Sequence, residues 1–600
     1  MIMNLIKTLV LVLFITNFSN AQVTFPKYRA VINKLFQEYD IPESNKKNEI
    51  ILEKRESGWF VKTINRHDTI QQLYWNKIKN EYKELNLPTK SAAISVSEFN
   101  NQNEKEENET EIKKQLLSTY PELNYDIFPY FGYDGCFYDN IKLLGEKYEL
   151  NDNETYTLGY SYSQIASNLI NDNYEFNLKN LNYNLQFIKN SMNKNQLEKF
   201  LEYSENAINY YRILSQKSPN YNTITGSINI KYQNEIVSLF LNLLIYQDEE
   251  IASKYLLQHS LYSENINLYS KLMLDSCEKN GILFTAGDND TFPILYYQLK
   301  NNYRKDILII NTSLLNDPRY SILIKNGVYN NRVKYSFDEE FIKNKSSEVI
   351  LFNLKDNKLI DIVQIKDIIS KNNTETESRT YLTLISNNFS FKHKNNKITW
   401  NFENEALFRN HLLLLDIIAK NNWERPIYFT DYNSQDNYLG LSNYLQFEGL
   451  VYKLTSEHKE TENTLGYIKK PELIEQFLNK IELKNTNLLP VEEKELVDQI
   501  RTIYLRLSKH YLDNQSNSKA LITLNNSLTK FNNTISPLNF YSLDFIDLYQ
   551  SLNENEKSEN IKKVILKNLE NKTHNFHYKT EEYINEKLQN YIEYIKNTYD

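Results

Sequence analysis

Two short apolar runs separated by one helix-length segment constrain this chain more than any other feature. Gly281-Ile282-Leu283-Phe284-Thr285-Ala286 and Asp306-Ile307-Leu308-Ile309-Ile310-Asn311 are both too short for a buried helix and read as buried strands. Between them, Gly287-Asp288-Asn289-Asp290-Thr291 reads as a turn, and Phe292-Pro293 opens a helix through about Asn301. Proline is well tolerated in a first turn, and Asp or Thr ahead of it can cap the exposed amides. Strand, helix and strand in so short a span predict parallel strands joined by a right-handed crossover. Further on, Glu405 to Asn421 reads as a Leu-rich helix and Arg425 to Thr430 as another strand. The pattern predicts an α/β domain over 281–470 with a mostly parallel sheet. Residues 330–400 are less regular and suggest an inserted hairpin around Glu348 to Phe352 and Tyr381 to Ser386.

The flanks have a helical period. Ala207, Tyr211, Leu214 and Pro219 follow the spacing of the second helix of a tetratricopeptide repeat, and Ala252 and Leu256 begin a similar helix after Tyr232 to Tyr246. The pattern returns with Tyr504, Leu507, Ser508 and Tyr511, then Ala520, Leu524 and Ser527. Small residues such as Ala520 let paired helices approach, while larger ones fill the gap between hairpins. Residues 22–115 form a small mixed region with a helix at Tyr28 to Tyr39. A hairpin follows, with arms Ile50 to Lys54 and Trp59 to Ile64 and a turn at Glu56-Ser57-Gly58. Asn101 to Lys114 reads as a charged linker, and Tyr130 to Asp139 as an aromatic, glycine-paired tight loop packing onto the next helix, a structural plug or, alternatively, a ligand-stacking platform. The expected fold class is α+β multidomain and mainly helical: a central α/β domain at 281–470, flanked by tetratricopeptide-like helical hairpins at 116–280 and 471–600.

The first 21 residues have a Lys7-bearing start, an apolar run from Leu9 to Ile15 and Ser19-Asn20-Ala21 ahead of Gln22. This is the layout of a secretory signal cleaved at Ala21/Gln22. The run is too short for a membrane anchor, which needs about 20 apolar residues. No later stretch reaches that length, and no cysteine follows the cleavage site to take a lipid. The expectation is a soluble periplasmic or secreted chain. A formal charge of -8 offers no general attraction to nucleic acid or anionic lipid, so no nucleic-acid partner is expected. Cys136 and Cys277 cannot build a disulfide scaffold or an all-cysteine zinc site; two buried thiols are the expectation, with a disulfide as the alternative.

Ligands of open α/β sheets sit beyond the carboxyl ends of the strands. Those ends supply Asp288, Asn289, Asp290 and Thr291, then Asn311, Thr312 and Ser313, then Thr430 and Asp431. Two carboxylates two residues apart on a turn could hold a hard divalent cation, or work as general acid or base. The bland alternative is that Asp290 or Thr291 caps the helix and Asp288 ties the turn to backbone amides. Asp288, Asn289, Asp290, Thr291, Asn311, Ser313 and Asp431 are the candidate ligand-binding residues. No catalytic residue is assigned, no cofactor is expected, and a divalent cation is the one exception this turn could take. Gly287 alone is far short of a dinucleotide fingerprint. His411 reads as a satisfied histidine on the Leu-rich helix, and the pair His574 and His577 lacks cysteine partners for a metal.

Several blocks carry a family resemblance: Gly287-Asp288-Asn289-Asp290-Thr291-Phe292-Pro293 with Tyr296-Tyr297-Gln298, Asn311-Thr312-Ser313-Leu314-Leu315-Asn316, Asn421 to Phe429, and Asn437-Tyr438-Leu439-Gly440-Leu441 with Glu448-Gly449-Leu450. Over about 265–570 the chain resembles the soluble extracytoplasmic part of a bacterial membrane family of unknown function, whose members are described as protein O-mannosyltransferase-like. The resemblance implies an α/β part followed by a tetratricopeptide-like tail. It does not bring transferase activity, because in such proteins that chemistry is assigned to a membrane-embedded half that is missing here. The sequence-level reading is an exported binding or scaffold protein, more a binder than an enzyme, linked to extracytoplasmic glycan or glycoprotein processing. Its repeats would hold a protein or peptide partner. The alternatives are a glycan-acting enzyme using the acidic turn, or an accessory subunit of a membrane glycosyltransferase.

Overall fold

The computed structural model describes residues 25–39, 50–64, 69–89, 133–171, 188–223, 225–354, 358–371, 373–375, 380–394, 396–431, 433, 435–461, 465–484, 489–571 and 581–599. The first 21 residues, read as a signal, the stretch Asn101 to Lys114, read as a linker, and the pair His574 and His577 lie outside them. The chain is mixed α/β and divides into two compact units, the cut falling between Leu214 and Ser215. Among the described residues no helix is long and apolar enough to cross a membrane.

In the first unit, helix α1 (Tyr28–Glu38) accompanies a sheet of order β4-β3-β2-β1-β5, with β1 Ile50–Arg55, β2 Gly58–Ile64, β3 Thr69–Asn76, β4 Glu81–Tyr82 and β5 Tyr133–Asp134. The expected hairpin is present, with Glu56 and Ser57 as its turn and Arg55 opposite Gly58. Gly58 belongs to the strand, paired with Arg55 and Asn76, and must be glycine because a Cβ there would lie 1.8 Å from the Trp75 carbonyl oxygen. Trp59, Val61, Tyr74 and Trp75 form the core with Val31 and Leu35 of α1. Helices α2 (Cys136–Gly145), α3 (Asp152–Ile170) and α4 (Lys194–Lys217) follow. Tyr211 packs against Gly159, where a Cβ would meet its ring at 2.7 Å, so a small residue on α3 admits a large one from α4.

In the second unit, β6 (Asn222–Thr223) and β7 (Gly226–Ser227) lead into α5 (Ile228–Tyr246), α6 (Glu249–Leu257) and α7 (Glu264–Asp275). Then come β8 (Ile282–Thr285), α8 (Gly287–Lys300) and β9 (Leu308–Asn311), with β8 and β9 parallel as the spacing predicts. Every residue of both strands is buried. Helix α8 begins at Gly287, five residues before the expected start, so the acidic segment is its first turn and Pro293 lies inside the helix. Gly287 enters it with φ +72°, a conformation that suits glycine.

Helices α9 (Pro318–Asn326) and α10 (Glu339–Lys343) precede an insertion made of β10 (Val349–Phe352), β11 (Ile360–Asp361), α11 (Ile365–Ile369), β12 (Asn373–Glu375), β13 (Thr380–Leu384), β14 (Asn388–His393), β15 (Asn396–Asn401) and β16 (Ala406–Phe408). The segments expected to form a hairpin, β10 and β13, are parallel neighbours instead, because β11, α11 and β12 make a crossover between them. The true hairpin is β14 with β15. β16 also claims the first residues expected to be helical, so α12 runs from Arg409 to Asn421. With Leu412 to Leu415, Ile417 and Ile418 all buried, α12 is a core helix apolar on most of its surface.

Strands β17 (Ile427–Thr430), β18 (Leu445–Phe447) and β19 (Val451–Leu454) complete the central sheet, of order β18-β19-β17-β8-β9. The expected mostly parallel sheet is a mixed one. β17, β8 and β9 are parallel, whereas β19 runs antiparallel to both its neighbours, β17 and β18; Glu448-Gly449-Leu450 folds β18 directly back onto β19, with Gly449 at φ +104°. Helices α13 (Pro471–Asn479), α14 (Val491–Asp513), α15 (Asn517–Lys530), α16 (Asp544–Ser551), α17 (Asn555–Glu570) and α18 (Glu581–Tyr599) follow. α14 and α15 pack together with Ser508 donating to the Ala520 carbonyl at 2.9 Å, so the predicted small-residue contact is made. One hydrophobic core runs from Leu272 through the sheet to Val497, Leu507 and Phe531.

Candidate functional site

The carboxyl ends of β8, β9 and β17 gather the strand-end residues into a buried polar network. Thr285 and Thr291 hydroxyls lie 2.8 Å apart, and the Asn311 amide donates to Thr291 at 2.9 Å. Asn311 Oδ1 accepts the backbone amides of Ser313 and Leu314, at 2.9 and 3.0 Å. Thr312 donates to Asn433, and Asn437 reaches Thr312 at 3.1 Å and accepts from Asn410 at 3.0 Å. Tyr438 donates to the Thr430 carbonyl at 2.9 Å. Thr291 and Asn311 are therefore held by their neighbours. The Ser313 side chain is exposed. Exposed Asp431 accepts from Tyr452 at 2.6 Å, and Arg506 of α14 donates to that same hydroxyl.

The expected carboxylate pair does not converge. On a helix, residues two apart point about 200° away from each other. Asp288 is exposed, on the side of Lys231 and Glu235 of α5, whereas Asp290 is buried at 3% exposure. Asn289 is exposed but tied down, accepting from Asn234 at 2.7 Å and donating to the Thr225 carbonyl at 2.8 Å. Among the described residues no group of three or more His, Cys, Asp or Glu side chains is arranged to hold a metal ion.

Asp290 is the residue that stands apart. Its Oδ2 accepts the Ala286 amide at 2.8 Å and the Thr430 hydroxyl, the backward cap that lets α8 start early. Its Oδ1 is buried and has no hydrogen-bond partner. Burial is the main reason the carboxyl is pushed up to about 7; the Thr430 and Ala286 hydrogen bonds pull the other way, and Asp431 adds a smaller upward push. A buried carboxyl near neutrality can give or take a proton, or accept a hydrogen bond from a ligand.

Asp290 borders a cavity of about 270 Å³ among α7, α8 and α14. Ile230, Ile266, Pro293, Ile294 and Leu496 supply apolar wall. Glu492 and Glu495 of α14 supply two more carboxyl groups, and Glu492 Oε2 is also buried with no partner. Burial raises the Glu492 pKa, which its Ser227 hydrogen bond only partly offsets. Sequence reasoning missed Glu492, since acidic residues behind Pro490 read as an ordinary favourable first turn of a helix. His411 is the satisfied histidine expected: 3% exposed, it accepts the Phe408 amide at 3.3 Å. Cys136 and Cys277 are both buried thiols.

No curated protein and no solved structure matches the chain. A family model described as TMEM260-associated domain 2 matches residues 267–392 and 382–472, a span that contains Asp290 and the whole central sheet but stops short of Glu492. The segment that builds the strand-end network is thus similar to TMEM260-associated domain 2.

Proposed function

We propose that this chain is an exported binding protein whose α/β domain takes a small polar ligand in the cavity beside Asp290, in the service of extracytoplasmic glycan or glycoprotein processing. The observation that carries the reading is Asp290, a buried carboxyl at the border of the cavity whose Oδ1 has no hydrogen-bond partner. A buried polar group left unsatisfied is costly, so such an atom is retained where a ligand completes it. The glycan setting rests on the likeness to TMEM260-associated domain 2 and on the resemblance to O-mannosyltransferase-like membrane proteins. Export rests on the signal-like first 21 residues. The C-terminal hairpins, read as tetratricopeptide-like, leave a groove of about 680 Å³ beside α13, α14 and α15 for a protein or peptide partner, a membrane glycosyltransferase among them.

The test is thermal melting of the purified chain against sugars, glycopeptides and divalent cations. A ligand at one hundred times its Kd stabilises the folded state by about 2.7 kcal/mol and raises the midpoint. The expected result is a shift with at least one polar ligand that Asp290→Asn removes; no shift with any of them would end the reading. A second reading, an enzyme acting on glycans, is favoured by the Asp290 carboxyl lying near neutrality, where an acid or base works best. Turnover of a glycan that persists undiminished in Asp290→Asn would dismiss it.

A further inference from the structure

The groove in the C-terminal helices has a charge and hydrogen-bond pattern that narrows its partner. α13 and α15 both pack on α14, and the groove lies where the three meet. On α15 the lining residues Lys519, Thr523, Asn526 and Lys530 recur at offsets of four, three and four, so they fall in one line along one face. From Lys519 to Lys530 is three helical turns, about 16 Å. Lys519 lies over the Tyr511 ring at 5.3 Å, and Lys530 donates to the Leu478 carbonyl at 3.0 Å. Among the described residues no carboxylate comes within ion-pair distance of either lysine; Glu482 acts on Lys530 from farther off. Glu475, the carboxyl that lines the groove, already accepts the Tyr511 hydroxyl at 2.5 Å, and Glu472 near that hydroxyl stands outside the lining. The side-chain amides of Asn479 on α13 and Asn526 on α15 are exposed and bond to none of the described residues. Tyr504 of α14 is 5% exposed, and its hydroxyl is likewise unpaired among them. We propose that this groove binds an extended acidic peptide segment, two of its Asp or Glu side chains pairing with Lys519 and Lys530 while Asn479 and Asn526 hydrogen-bond its backbone.

A peptide backbone offers a donor and an acceptor at nearly every residue, and an Asn amide matches both. The lysines set the spacing. An extended chain advances about 3.3 Å per residue and its side chains alternate, so two acids facing α15 stand an even number of residues apart. Four residues span about 13 Å and six about 20 Å, values that bracket the lysine separation and lie within reach of a flexible lysine stem. Ile522, 58% exposed on the same wall, gives apolar contact between the two charges. That contact suits a peptide side chain better than the hydroxyl-covered surface of an acidic glycan. The inference rests on the reading of this groove as a site for a protein or peptide partner, and adds that partner's charge and spacing.

The experiment is fluorescence anisotropy of the full chain with labelled decapeptides of Ala, Thr and Val that carry two Asp residues four or six positions apart. The controls are an isomer with the two Asp adjacent, a peptide with Asn in place of both, and a labelled oligogalacturonate. The better of the two spaced peptides should bind about tenfold or more tighter than its Asn counterpart, ahead of the adjacent isomer, and more weakly as salt is raised. Lys519→Gln and Lys530→Gln should each weaken that peptide by about threefold or more and leave the Asn peptide unchanged. Should Lys530→Gln fail to fold, Lys519→Gln and the peptide series carry the test. An Asn peptide or an adjacent isomer bound as tightly as the spaced ones overturns this inference and leaves the peptide reading of the groove standing. Oligogalacturonate bound more tightly than every peptide overturns it in favour of an acidic glycan. No binding by any probe to the folded chain overturns both this inference and the peptide reading, and leaves the cavity beside Asp290 to the melting panel.

Discussion

Asp290 and His411 are buried ionisable groups with opposite effects on stability. The folded Asp290 carboxyl is raised to about 7, so between its ordinary value of 3.8 and there only the folded state holds the proton, and stability falls as pH rises. The folded His411 ring is lowered to about 4, mainly by burial, so between there and 6.5 only the unfolded state holds the extra proton, and stability rises with pH. The two slopes nearly cancel across the range they share, and a pH profile of the wild-type chain alone would hide both. The difference between wild type and Asp290→Asn isolates one of them. Urea unfolding at each pH should show that the wild type's advantage over the variant declines by about 1.4 kcal/mol per pH unit from about pH 4 to 7 and then levels. A difference that stays flat over that range would mean that Asp290 ionises like an exposed carboxyl and carries no special burial.

Among the elements, legibility follows how local the deciding forces are. β8, β9 and β17 announce themselves because strands covered on both faces must be continuous apolar runs. The start of α8 was hidden, because proline in a first turn is the common case, whereas here Asp290 reaches back to the Ala286 amide and moves the start five residues earlier. That shift is also why the candidate pair Asp288 and Asp290 looked convergent on a turn and diverges on a helix. Asp290 and Asn311 were readable as strand-end polar residues; Glu492 was not, since its place on the same cavity as Asp290 depends on α14 packing beside α7 from over two hundred residues away. Arg501 belongs with these long-range cases. It is 1% exposed and donates to the carbonyls of Phe531, Asn532 and Ser536 while pairing with Asp498 at 2.9 Å, fastening the end of α15 to α14. Arg501→Ala should cost about 3–5 kcal/mol by urea unfolding, since it leaves a carboxylate and several carbonyls buried without their donor. A cost under about 1 kcal/mol, the range of an exposed ion pair, would show that water replaces the guanidinium freely.

At the scale of the molecule, the core that joins Leu283 and Ile310 of the sheet to Val497, Ile500 and Leu507 of α14 makes the α/β part and the first C-terminal helices energetically one body. α14 also contributes Leu505 to the separate cluster that holds α16, α17 and α18 together, so it is shared between both cores. Stripping α14 away would uncover the apolar face of the sheet layer at a cost of about 1.5–3 kcal/mol for each large side chain exposed, more than a marginally stable fold can lose several times over. A chain of residues 215–600 should therefore melt in a single transition with equal calorimetric and van't Hoff enthalpies, despite a length at which intermediates are common. The same coupling links stability to binding: the cavity is lined by both α8 and α14, so a ligand held in it should shift that one transition as a whole. A melt in two steps, with 471–600 leaving first, would instead make the α14 wall a door, able to open the cavity while the sheet and its polar network stay folded.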